Sequence, residues 1–266
     1  MYNTGVTKII SILTATTVLA ILFWFALVPW LGTGGKLQNL TAWLPPFFAL
    51  IVLSGAMAIG VLLFERKSLW LLMALLADLP IFAVFGIHAL YLIFIGFSLL
   101  CIFYSGNIMK RELSERYKVD IRVMARAGMR YIILPFLIGV SFVYFFSPQI
   151  QARANANAFP ESFQRAIVNG VQQVLDSGNL SESGISGAVA KTTVNTFFDE
   201  FNSFLEPYSP YLPPLFAFGL FIVLWGMAFI FNGLSALVAR MMFVGLRKVG
   251  FVKIEEVDVR AERIIL

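Results

Sequence analysis

From Ile9 to Leu31 the chain carries no charged residue, and the same holds from Ala42 to Phe64. A helix needs about 20 apolar residues to cross ~30 Å of hydrocarbon. Runs of this length leave little choice of fold. Composition agrees: 59% of the 266 residues are hydrophobic and 13% charged, where soluble domains are roughly half apolar and a quarter charged. The expected class is all-α, a polytopic helical membrane protein.

The first run follows Lys8 as a signal peptide would. It is too long for a signal h-region and no A-x-A site follows, so it reads as an uncleaved anchor. The second is entered through Pro45 and Pro46, which a first helical turn tolerates. The charged trio Glu65, Arg66 and Lys67 makes a turn. Ser68–Ile108 is too long for one span and reads as a helical hairpin turning around Gly86–His88. A fifth span covers about 131–146 and a sixth about 215–239.

Six spans put the N-terminus, the 65–67 turn, the 109–130 loop and the tail after 239 on one side. All but four of the 20 basic residues lie there; the exceptions are Lys36, Arg153, Arg165 and Lys191. The positive-inside rule then makes both termini cytoplasmic. It also explains the net charge of +5 without a nucleic-acid partner. Trp30, Trp43 and Trp70 fall at expected interfacial levels.

The resulting organisation is 1–146 with five spans and the basic loop 109–130, an external insert 147–214, the sixth span 215–239 and a cytoplasmic tail 240–266. The insert holds two amphipathic patterns, one through Phe163, Ile167 and Val171 and one through Phe197, Phe201 and Phe204. They predict an external helical hairpin. Its apolar stripes must pack on each other, lie on the bilayer, or meet another subunit.

Few residues stand out for chemistry. Asp78 lies in the apolar stretch "WLLMALLADLPIFAVFG", two residues before Pro80. A carboxylate at mid-bilayer costs about 2.5–3.5 kcal/mol on insertion scales. Pro80 lacks an N–H and leaves the Leu76 carbonyl without its helical donor. Asp78 is then either a structural cap on the following half-helix, or the centre of a broken-helix site for a cation or proton. Gly219, Gly226 and Gly233 recur every seven residues, with Asn232 beside the last. Together with Ser54 and Ala58 on the second span they predict close helix packing, within the chain or between subunits. Arg122, Arg126 and Arg130 recur every four residues and form a stripe if helical. That stripe is a candidate contact for anionic lipid or a partner protein, or ordinary topology-setting charge.

Catalytic signatures are missing. "GTGGK" at 32–36 lacks the residues of a phosphate loop at Trp30 and Leu37. The single histidine, His88, rules out multi-histidine metal sites, no cofactor motif is present, and the lone Cys101 forms no intrachain disulfide. The expectation is a protein that is not an enzyme.

Short spans, a basic middle loop, an external insert and the ending "VGFVKIEE…VRAERIIL" resemble uncharacterised multi-pass membrane proteins of small-genome bacteria. The resemblance implies a bacterial cell membrane and no activity. Two readings follow. The first is a membrane scaffold or accessory subunit acting through helix packing, with lipids and a homo-oligomer or membrane-protein partner. The alternative is a channel or small transporter organised around Asp78 and the Pro80 break.

Overall fold

The computed structural model describes residues 2–32, 40–115, 120–155, 196 and 211–252. These form α1 (Tyr2–Gly32), α2 (Leu40–Leu63), α3 (Lys67–Asp78), α4 (Pro80–Phe85), α5 (Ala89–Ser114), α6 (Ile121–Phe146), α7 (Pro148–Asn155), α8 (Leu212–Gly226) and α9 (Ala228–Lys248). Six segments are long and apolar enough to cross a membrane: α1, α2, α3 with α4, α5, α6 and α9. The all-α, polytopic class follows.

The Gly86 turn lies where the sequence places it. Gly86 ends α4 with φ 83° and ψ −179°, a region essentially restricted to glycine.

Two span boundaries differ from expectation. The fifth span starts at Ile121 rather than 131. Asp120 is the reason: its carboxylate accepts the backbone N–H of Arg122 at 3.1 Å and of Val123 at 3.5 Å, an N-cap that satisfies helix-end donors. Behind it Met124, Ala125, Met129, Ile132, Ile133 and Phe136 are buried at helical spacing. The basic loop of 109–130 is therefore mostly the end of α5 and the start of α6.

The sixth span also moves, from 215–239 to α9. Gly226 and Met227 separate α8 from α9, Met227 adopting φ −84° and ψ −6°. Its carbonyl closes a tight turn with Ile230 N–H at 2.9 Å. Glycine is among the weakest helix formers. The 15 residues of α8 reach only about 22 Å. Arg240 lies inside α9, exposed; its long stem carries the cation outward. The expected tail thus begins as helix, and residues 253–266 lie outside the described residues. So does most of the external insert, except 147–155, Thr196 and 211–214.

The chain divides into two compact units. The first takes described residues up to Ala26, from Leu44 to Phe136 and from Met227 onward. Its core is aromatic. Phe23 of α1 meets Phe136 of α6 edge-on at 5.7 Å, and Trp24 meets Phe94 of α5 at 6.1 Å and Phe85 of α4 at 6.3 Å. Offset and edge-to-face rings pack favourably at these separations. The basic residues of this unit collect at one end of it. There Lys8 of α1 donates to the Phe251 carbonyl after α9 at 2.6 Å. Lys110, near the end of α5, donates to the Leu62 carbonyl in the last turn of α2 at 2.7 Å. Cations at helix C-termini complete carbonyls that the helix leaves open.

The second unit gathers the described residues between Leu27 and Trp43 and between Leu137 and Gly226. In it Trp30 stacks on Tyr144 at 6.4 Å, and Gln151 of α7 donates to the Phe145 carbonyl at 2.8 Å. α7 packs against α8.

Two of the tryptophans placed at interfacial levels are packed inside the protein. Trp30 and Trp70 are 3% and 2% exposed. Trp70 lies against Gly106, where any side chain would collide with its ring, and donates to the Phe64 carbonyl at 3.0 Å.

Candidate functional site

Asp78 ends α3 with none of its surface exposed. The break before Pro80 is a single residue, Leu79, between α3 and α4. Leu79 keeps right-handed helical angles, φ −52° and ψ −37°, between α3 and α4. Its N–H bonds the Leu75 carbonyl at 2.9 Å, and Phe82 N–H bonds the Leu79 carbonyl at 3.1 Å. Proline at the first position of α4 costs no donor the helix needs, so the chain tightens by one residue instead of opening. Asp78 is not a cap either: no side chain bonds the first amides of α4. Neither carboxylate oxygen has a hydrogen-bond partner within 3.5 Å.

A different residue serves the Pro80 junction. Trp24 of α1 passes its indole N–H to the Ala77 carbonyl at 3.0 Å, a fully buried bond. It ties α1 to the last turn of α3, one residue after the Leu76 carbonyl that Pro80 leaves without its helical donor. Sequence reading missed this partner because nothing in the spacing joins residue 24 to residue 77. The excess of buried aromatics was the available hint.

Close helix packing falls on the Ser54–Ala58 face of α2, as expected, but not on the glycines of α8 and α9. A Cβ at Gly219, Gly226 or Gly233 would meet nothing within 4 Å, so no part of the described chain packs tightly on those glycines. A Cβ at Gly55 of α2 would lie 2.9 Å from Val238 Cγ1 and 3.2 Å from both the Ala239 nitrogen and the Ser235 oxygen of α9. Ser54, Ala58, Ser235 and Ala239 are all wholly buried, and Ser54 and Ser235 hydroxyls have no partner. The small residues α9 uses are therefore Ser235 and Ala239, at i and i+4, a small-xxx-small pair present in the sequence but overshadowed by the glycines. Gly60 and Gly128 make similar contacts, with Met73 and with Ser105 and Met109. Asn232 keeps its side-chain oxygen buried without a partner, one residue after Phe231, whose ring meets Phe47 at 4.6 Å.

Arg122, Arg126 and Arg130 stand on one exposed side of α6. Arg130 donates to Tyr131 Oη at 2.6 Å and lies over its ring at 4.5 Å. Tyr131 meets Tyr104 edge-on at 4.7 Å. No acid among the described residues pairs with the three arginines. Arg111 is different, held by Glu115 at 3.2 Å. His88, before α5, lies against Tyr91 at 5.4 Å, away from any relay position. Residues 33–36 of "GTGGK" fall outside the described residues.

Three groups of features result: a sealed carboxylate, a tight α2–α9 seam and an open row of cations. The chain matches no family model, no curated protein and no solved structure.

Proposed function

We propose that the protein is a non-catalytic membrane scaffold or accessory subunit. The observation that carries this reading is the sealing of Asp78. Its carboxylate is wholly buried and has no ionic partner among the described residues. A transport route through the spans calls for several ionisable groups facing a water-filled cavity. The features open to other molecules lie elsewhere. They are the arginine row of α6 and the uncovered glycines of α8 and α9, which offer anionic lipids and another helix a surface. The resemblance to small-genome bacterial proteins and the gathering of basic residues at one end support a bacterial cell membrane with both termini in the cytoplasm.

One observation favours the channel or transporter alternative. The Asp78 oxygens lack hydrogen bonds, and an unsatisfied buried polar group often marks function. Ion flux in reconstituted vesicles separates the two readings. Asp78→Asn keeps shape and removes the charge. Unchanged flux, with co-purification of a stoichiometric membrane partner or second copy, supports the scaffold. Loss of a wild-type flux in a folded Asp78→Asn protein replaces it with the transporter.

A further inference from the structure

At the basic end of the first unit, α1, α2 and α9 leave a cavity of about 430 Å³ open to the surface, within the ~300–1,000 Å³ usual for ligand sites. Ala56 and Ile59 of α2 form its buried floor, Ala15 and Gly245 its exposed flanks, and Phe251 one end. Its hydroxyls are already used: Ser11 donates to the Thr7 carbonyl and Thr16 to the Ile12 carbonyl, each at 2.9 Å within α1. What remains is an apolar groove with no free donor for a polar ligand. Its rim is cationic. α1, α2 and α9 contain no Asp or Glu, while Lys8 lies one turn before Ser11 and Arg247 and Lys248 follow Gly245. Glu65, just after α2, acts on Lys110. Lys8 spends one N–H on the Phe251 carbonyl, and an ammonium has three.

We propose that this groove holds one acyl chain of an anionic phospholipid, with the phosphate against Lys8 and the Arg247–Lys248 end of α9. An apolar slot whose mouth is basic among the described residues matches such a lipid at both ends of the molecule. A polar metabolite finds no donors inside, and a zwitterionic lipid brings a cation to a basic rim. A protein helix, ~10–12 Å across, must also displace the tie between Lys8 and Phe251.

The test uses the full chain, purified in mild detergent and exchanged into mixed phosphatidylglycerol–phosphatidylcholine vesicles. It is then re-extracted, and its retained lipid is read by native mass spectrometry. Wild type retains phosphatidylglycerol selectively. Gly245 lines the groove and a Cβ added there meets nothing within 4 Å, so Gly245→Phe has room to enter it; it lowers retention about tenfold, equivalent to ~1.4 kcal/mol. Lys8→Gln does the same and Lys8→Arg restores it. Arg126→Gln, on α6, leaves it unchanged. Should Gly245→Phe not fold, Ala15→Leu replaces it. Equal retention of both lipids, unchanged retention in the groove variants, dependence on Arg126 alone, or loss of a second protein copy instead of lipid each overturns the proposal.

Discussion

At Trp24 a single N–H connects two spans, one residue after the Leu76 carbonyl that Pro80 leaves without its helical donor. In lipid the Ala77 carbonyl has no water to turn to, so the bond is more than decoration. Trp24→Phe keeps most of the ring contacts with Phe94 and Phe136 and deletes only the donor. It should lower stability by roughly 1–2 kcal/mol, read as an earlier unfolding midpoint in mixed micelles. A variant as stable as wild type would mean that the bond contributes nothing. Gly55 and Gly226 make a second contrast. Leucine at Gly55 drives a side chain into Val238 and the α9 backbone and should cost about 1–3 kcal/mol or more, as overpacking does. At Gly226 an added Cβ meets nothing within 4 Å, and leucine there should change the stability of the single chain by less than about 0.5 kcal/mol. Thermal melts of the two variants side by side check this, and equal losses would discard the α2–α9 seam.

At the scale of the element, α6 shows how an apparently polar loop becomes helix. Three arginines in its first turns oppose the positive end of the helix dipole. The Asp120 cap and the buried face from Ile121 to Phe136 offset them. Asp120→Ala should cost about 1 kcal/mol and speed amide hydrogen exchange at residues 122–124. Exchange as slow as in wild type would show that burial alone holds the first turn. The same balance explains what was legible beforehand. Uninterrupted apolar runs located α1, α2 and the Gly86 hairpin, because hydropathy and a mandatory positive φ leave little freedom there. Hydropathy stopped short at Tyr131 because it reads arginine as an end of span, although a helix continues wherever its other face is buried. It ran α8 and α9 together because both are apolar and only Gly226 hints at the break. Asp78 was recognised as unusual from its neighbours alone. Its tertiary surroundings were not, since its burial and the bond from Trp24 to the neighbouring Ala77 carbonyl arise only once the helices have packed. The glycines of α8 and α9 drew attention by their spacing. Actual close approach depends on which face a helix turns inward, and α9 turns Ser235 and Ala239.

For the molecule as a whole, the decisive matter is which ends of the helices share a side of the bilayer. Inside the first unit the contacts give one answer. Lys8 reaches Phe251, Lys110 reaches Leu62, and Gly60 faces both Met73 and Ile12. The start of α1, the α2–α3 turn, the end of α5 and the end of α9 therefore lie together, and Gly86–His88 lies a full span away. Burying this many lysines and arginines in the outward-facing leaflet would oppose the orientation signal, and the orientation we propose puts the basic end in the cytoplasm. Ile87 is 86% exposed, and the native thiol, Cys101, is 7% exposed and can be replaced by alanine. In that background Ile87→Cys should react with a membrane-impermeant maleimide from outside intact cells. Arg126→Cys and Lys248→Cys should react only after permeabilisation. Labelling of Ile87→Cys and Arg126→Cys from the same face would require an odd number of crossings less than the helices suggest. It would remove the cationic inner face on which both the arginine row and the lipid groove depend.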